Sequence, residues 1–319
     1  MKRAVLLGLA ILVALPMAAQ AREDDFDFAK GLVGLKYYDL AKEEFEKIIN
    51  DTGRDGVERA NGELGLALLL KAQAEDMRLD PKAETDATIA LFDEAETRFD
   101  KFLSNNPNHV RRVDARFEVG QLLQAKGSFL SGRAEKETDK AETLNAAAEG
   151  AFDQAVDLFK GVAEALEGEL DRMTGSELES NRGITTEWNS KRARFFEAVC
   201  HYNKGILYEE GGAEREGTLE KSIELLTDFA WGNEDNILGA YAFLYMGLAQ
   251  KALNKPDEAL EFLKVASAGY PIPDPGEVGL FRNWTDLYLQ GYYKLAEYCN
   301  ELGMVGDKDY RETAIQEFT

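Results

Sequence analysis

The sequence predicts an all-α fold, an α-solenoid of about five helix-turn-helix repeats with long helices and a C-terminal capping helix. Three observations predict it. Apolar residues recur at spacings of three and four, the period of one helix face. Runs that alternate apolar and polar residues, the mark of half-buried strands, are nearly absent. A third pattern repeats along the chain: a small residue, a large apolar one four positions on, and another three further. The copies are Ala41-Phe45-Ile48, Ala95-Phe99-Phe102, Ala155-Phe159-Val162 and Ala259-Leu263-Ala266, with a weaker one at Ser222-Leu226-Phe229.

The chain opens on "MKR", an uncharged apolar run Ala4–Leu15, and "PMAAQA", which ends in the small-x-small triplet Ala19-Gln20-Ala21. This is the pattern of a secretory signal peptide over residues 1–21, cut before Arg22. An uncleaved anchor is the alternative, disfavoured by the shortness of the run. No integral membrane span is expected after cleavage, because no later stretch approaches 18 consecutive apolar residues.

From there the elements follow in order. "DLAKEEFEKII" sets Leu40, Ala41, Phe45, Ile48 and Ile49 on one face; "IALFDEAETRFDKFL" does the same with Leu91, Ala95, Phe99, Phe102 and Leu103. "AFDQAVDLFKGV" repeats it with Phe152, Ala155, Val156, Phe159 and Val162. Pro107 stands twelve residues after Ala95, and Pro271 twelve after Ala259; a helix does not readily pass through proline, so both mark ends. Successive small residues stand 54, 60, 67 and 37 apart, and polar segments account for the long intervals. Those at 71–86 and 128–150 are rich in Ala, Glu and Lys and should lengthen helices. The one at 168–190 holds Gly175, Asn181 and Gly183 and should contain a true break. Beyond Pro271, "NWTDLYLQGYYKLAEYCNELG" predicts a long helix ending at Gly303, with a short final helix over Asp307–Phe318.

With these positions in place, the chain resembles the tetratricopeptide repeat family, a helix-turn-helix of about 34 residues. In the clearest copy Gly247 is the small residue of the first helix, after Phe243 and Met246; Ala259, Leu263, Ala266 and Pro271 fill the second helix and its end. Gln250 departs from the family's aromatic. Near the N-terminus Ala29, Leu32, Ala41, Phe45 and Ile48 fit, with Gly53 where the family has proline. Gly120 takes the small first-helix position of the third copy. The resemblance divides the chain into repeats at about 24–53, 57–107, 111–167, 187–234 and 237–271, with capping helices over 272–319. The physical reason is close approach: only a tiny side chain lets two paired helices meet, and a large one fills the hole beside it.

The family commonly holds a partner's peptide in a groove lined by the first helices. Carried over position by position, this implies a groove at Phe26, Lys30 and Val33, at Phe117, Gln121 and Gln124, and at Tyr241, Leu244, Leu248, Lys251 and Ala252. Tyr241 and Phe117 are its expected anchors, since aromatics dominate binding energy.

Composition narrows the function classes. With 37 Lys and Arg against 59 Asp and Glu, the net charge is −22. That argues against nucleic acid, which demands cations for its phosphates, and against anionic membrane surfaces. No catalytic motif is present: no His-Glu-x-x-His, Gly-x-Ser-x-Gly, Ser-x-x-Lys or phosphate-binding glycine loop. The two histidines, His109 and His201, are too few for a zinc set, so no metal, cofactor or catalytic residue is expected. His109 is expected in solvent at a repeat junction, and His201 beside Cys200 points elsewhere on its helix. Cys200 and Cys299 are expected as buried thiols, with a bridge between them as the alternative. The acidic start "REDDFDF" lacks calcium-loop spacing, and "NWT" at Asn283 is a chance-level glycosylation sequon. Trp284, Tyr288, Tyr292, Leu295 and Cys299 form a stripe expected to pack the cap.

The expected protein is therefore a non-enzymatic exported scaffold, periplasmic or secreted. It would bind a protein partner, a peptide segment or an envelope-complex subunit, and no nucleic acid. The alternative is a small-molecule or lipid-binding protein of a transport system, which an enclosed apolar pocket of several hundred Å³ would favour. Nothing in the sequence sets an oligomeric state.

Overall fold

The computed structural model describes residues 25–233, 236–269, 278–305 and 308–309. The expected signal peptide and Pro271 lie outside these residues. The fold is all-α. Its helices are α1 (25–34), α2 (Tyr38–Asn50), α3 (Gly56–Leu79), α4 (Thr85–Asn105), α5 (Arg112–Ala134) and α6 (Ala141–Leu170). After them come the short α7 (Gly175–Leu178), then α8 (Asn181–Gly205), α9 (Ala213–Trp231), α10 (Ile237–Ala252), α11 (Pro256–Ala268) and α12 (Val278–Leu302).

Local sequence fixes many of the boundaries. Asp55 accepts the Glu58 N–H at 2.8 Å and starts α3. Asn236 accepts from Leu238 and Gly239 at 3.0 and 3.2 Å and starts α10. Pro256, with its preset φ and missing N–H, opens α11. α4 stops at Asn105, two residues before Pro107. The Ala/Glu/Lys-rich segments extend helices, α3 to Leu79 and α5 to Ala134, whereas the glycine-containing segment breaks the chain around α7.

One expectation is corrected at the C-terminus. Gly303, at φ +53°, ends α12, and Met304–Val305 (β1) then pairs antiparallel with Lys308–Asp309 (β2). The residues expected to start a final helix at Asp307 are thus extended at 308–309. The chain has just reversed there, and a two-residue ladder satisfies its backbone groups locally. The rest of that expected helix lies outside the described residues.

The chain divides into two compact units at Phe129–Leu130, a point inside α5. In the first unit α2 packs on α3 and α3 on α4. Phe26, Ala29, Ala41, Phe45, Ile48, Leu66 and Leu69 form a continuous apolar cluster there. Two glycines allow the α2–α3 approach. A Cβ at Gly62 would stand 2.7 Å from Ile49 Cγ1, and one at Gly65 would collide with the Phe45 ring. Further along, the Phe92 and Phe129 rings meet at 6.1 Å.

In the second unit consecutive helices pack in turn: α6 on α8, α8 on α9, α9 on α10, α10 on α11 and α11 on α12. Next-but-one helices also touch, α8 with α10 and α10 with α12. One cluster joins Phe195, Ala198 and Val199 of α8 to Leu226 and Phe229 of α9 and Met246 of α10. Another joins Leu244 and Leu263 to Trp284, Tyr288, Leu295 and Cys299, so the α12 aromatic stripe is core. Ser222, the polar member of the repeated small positions, is fully buried and donates to the Ala198 carbonyl at 2.8 Å. That bond offsets the cost of burying its hydroxyl between α8 and α9.

Candidate functional site

Each unit carries a cleft to which alternate helices contribute. In the first unit the cleft, about 250 Å³, lies among α1, α3 and α5. Lys30, Val33 and Gly34 come from α1, Leu68, Lys71 and Glu75 from α3, and Glu118 from α5. Lys71 is the hub. Its Nζ donates to Glu118 at 2.7 Å and to Gln121 at 3.2 Å, and lies 3.4 Å from Glu75. The lysine is therefore held in place, and the apolar floor of Val33 and Leu68 remains beside it.

The second unit has the larger cleft, about 760 Å³. α8 supplies Tyr202; the α8–α9 connection and the first turn of α9 supply Glu210, Gly211, Arg215 and Glu216. α10 supplies Leu248, Lys251 and Ala252, and α12 supplies Lys294. Two connection residues bordering it, Gly211 and Asn254, sit in the left-handed region at φ +74° and +56°, which glycine and asparagine tolerate best. Arg215 ties the ends of α8 and α10 together: its Nε donates to the Ala252 carbonyl at 3.2 Å and its Nη1 to the Tyr208 carbonyl at 2.9 Å. A cation at two helix C-termini also meets their partial negative charge. Burial pushes the Tyr202 hydroxyl up to about 12, with Tyr245 adding and Arg215 opposing, so it stays protonated and available as a donor.

The implied groove residues fall into three groups. Lys30 and Val33 line the first cleft; Leu248, Lys251 and Ala252 line the second. Gln121 reaches the first cleft through Lys71, while Gln124 is half-buried on α5 and does not line it. Phe26, Phe117 and Leu244 are corrections: they are 2%, 7% and 4% exposed and belong to the core. Phe26 meets Phe45 at a tilt, ring centroids 5.9 Å apart, with the Arg111 guanidinium 4.7 Å from its ring centre. Leu244 joins the α10–α11–α12 cluster. Tyr241 is half-buried between the two clusters of the second unit, 6.5 Å from the Phe195 ring, and does not line the cleft.

Of the repeat positions, Ala29, Ala41, Phe45, Ala95, Phe99, Ala155, Phe159, Ala259, Leu263 and Ala266 are fully buried. Gly120 and Gly247 are buried, and Pro107 is exposed just beyond α4. A further correction concerns His109, which is 8% exposed rather than solvated. Its ring meets Phe102 edge-on at 5.1 Å; Nδ1 accepts the Arg111 N–H at 3.1 Å, which leaves Nε2 to donate to the Val57 carbonyl at 3.3 Å. Those two bonds replace water for both ring nitrogens.

Sequence reading missed Lys71, Glu75, Arg215 and Lys294. The signal available was weak: single charged residues on otherwise mixed helix faces. Cys200 and Cys299 are both buried, and neither is in a disulfide. Burial, with Glu197 adding, pushes the Cys200 thiol up, so it is no nucleophile. His201 is pushed down by burial, then by Lys221 and Lys204. Among the described residues no group of three His, Cys, Asp or Glu is placed to hold a metal, and no helix is long and apolar enough to cross a membrane.

No protein-family model matches the chain, and no curated protein matches it.

Proposed function

We propose that the protein is an exported, non-enzymatic scaffold of tetratricopeptide-like repeats that binds a segment of a partner protein in the cell envelope. The segment lies along α1, α3 and α5 in the first unit or along α8, α10 and α12 in the second. One observation carries this reading: in each unit the cleft takes lining residues from alternate helices, the first members of successive hairpins, joined in the second unit by the start of α9 and two connections. The Gly247–Ala259 approach supports the repeat assignment, because Gly247 lies against Leu263 and the Ala259 carbonyl.

The ligand-binding alternative has one supporting observation. The second cleft lies within the ~300–1,000 Å³ of ordinary small-molecule sites. Its lining, however, is mostly charged and polar, with Leu248, Ala252 and Leu253 as the smaller apolar part. That favours a peptide over a lipid.

Site-specific photo-crosslinking tests the reading. A photoreactive residue at one at least of Lys30 and Leu248 should capture a partner protein from the native envelope. At Lys47 of α2 or Asp157 of α6, both exposed and outside the clefts, it should not. Capture from the second pair and not the first overturns the assignment of the binding face.

A further inference from the structure

The lining of the second-unit cleft has a division of charge that selects among peptide segments. Its cations come from α9, α10 and α12: Arg215, Lys251 and Lys294. Its acids come from the α8–α9 connection and the start of α9: Glu210 and Glu216, both exposed. The two lysines are steadied by acids that do not line the cleft. Lys251 Nζ lies 2.7 Å from Glu301, and 5.0 Å from the centre of the Tyr298 ring. Lys294 Nζ lies 2.8 Å from Glu297. Partly exposed pairs of this kind contribute little, roughly 0–1 kcal/mol, so a ligand carboxylate exchanges for them at small cost. Arg215 is anchored through Nε and Nη1 on backbone carbonyls; among the described residues its Nη2 makes no hydrogen bond.

We propose that this cleft takes a partner segment carrying both charge signs, with a carboxylate side chain directed to Lys251, Lys294 and Arg215 and a cationic side chain to Glu210 and Glu216. The proposal rests on the reading that this face binds a protein segment, and it names the chemistry of that segment. A wholly acidic segment meets Glu210 and Glu216 and the −22 net charge of the chain. A wholly basic one leaves three cations facing it. A lipid chain finds too little apolar lining. A mixed segment satisfies both groups, and short-range contact decides because salt screens the net charge beyond about 8 Å.

The test uses the full chain and four fluorescein-labelled decapeptides: alternating Glu and Lys in a Ser/Ala background, Glu only, Lys only, and Ser/Ala alone. Anisotropy should show the mixed peptide binding about tenfold tighter than each of the others, a difference of about 1.4 kcal/mol. Lys251→Met with Lys294→Met should abolish the advantage over the Lys-only peptide. Glu210→Gln with Glu216→Gln should abolish the advantage over the Glu-only peptide. Circular dichroism checks that each variant is folded. Equal binding of all four peptides, or a preference the paired variants leave untouched, overturns the proposal. Displacement of the mixed peptide by millimolar free glutamate plus lysine also overturns it, since the cleft then takes free amino acids rather than a segment. A failure here with intact crosslinking from Leu248 removes only the charge rule; loss of that crosslink as well removes the binding face itself.

Discussion

Leu263 fills the space that a side chain at Gly247 would require. A Cβ at Gly247 would stand 2.7 Å from Leu263 Cγ and 3.2 Å from the Ala259 carbonyl oxygen. The two helices α10 and α11 meet there with backbone against side chain, and Leu263 is fully buried in the contact. Gly247→Ala should therefore lower stability by about 1–3 kcal/mol, although alanine is the better helix former by about 1 kcal/mol. Leu263→Ala alone leaves a cavity worth about 2–5 kcal/mol. The double variant should be less destabilised than the two single effects together, because the new methyl enters the vacated space. Urea unfolding of all four proteins measures the coupling; strict additivity would refute the packing relationship.

Gly150 gives the opposite sign. It lies inside α6, and nothing stands within 4 Å of the position a Cβ would take. Gly150→Ala should stabilise the protein by about 0.5–1 kcal/mol through reduced freedom of the unfolded chain and better helix propensity. A lowered melting temperature would show an unrecognised close neighbour. The pair Gly247 and Gly150 thus separates glycines kept for contact from those that are not.

What the sequence made legible follows from the same physics. Ala41, Ala95, Ala155 and Ala259 were readable because a small residue with large apolar ones at four and seven is a demanding local pattern, and each is fully buried. Face-lining positions were not readable in the same way. Periodicity says which residues share a face; it does not say how many neighbours cover that face. α10 has neighbours α8, α9, α11 and α12, and its buried residues Gly239, Ala240, Ala242, Leu244, Met246, Gly247 and Ala249 cover more than half of its circumference. Leu244, carried over as groove, accordingly lies in core. His109 was misread for a related reason: nothing local announces that a loop histidine will find Phe102 on one side and a carbonyl 52 residues earlier on the other.

The thiols offer a simple check of the core. Cys200 sits in α8 and Cys299 in α12, both fully buried and neither in a disulfide. Native protein should react with neither equivalent of a thiol reagent, and unfolded protein with both, two per chain. A fast-reacting thiol in the native state would mean that α8 or α12 is not packed as described. A disulfide found after unfolding without reductant would contradict the reduced state of both cysteines directly.

Glu167 of α6 and Arg194 of α8 make the clearest pH prediction. The guanidinium donates to both carboxylate oxygens, Nε at 2.9 Å and Nη2 at 2.7 Å, and Nη1 reaches Glu197 at 3.1 Å. The hydrogen bond from Arg194 holds the Glu167 carboxyl below its ordinary value, partly opposed by desolvation. A carboxylate with a depressed folded value binds fewer protons folded than unfolded. Its contribution is thus complete above the unfolded value near 4.5 and is lost as pH falls through the folded one. Melting-temperature scans of Glu167→Gln should run below wild type at pH 7, and the two curves should converge as pH drops below 4.5. The gap should be small, at most about 1 kcal/mol, because the pair is partly exposed. Arg194→Met should cost more, about 2–4 kcal/mol, because Glu197 is buried and loses the cation it faces. Equal effects of the two substitutions, or a gap that widens in acid, would remove Arg194 from its role as the link between α6 and α8.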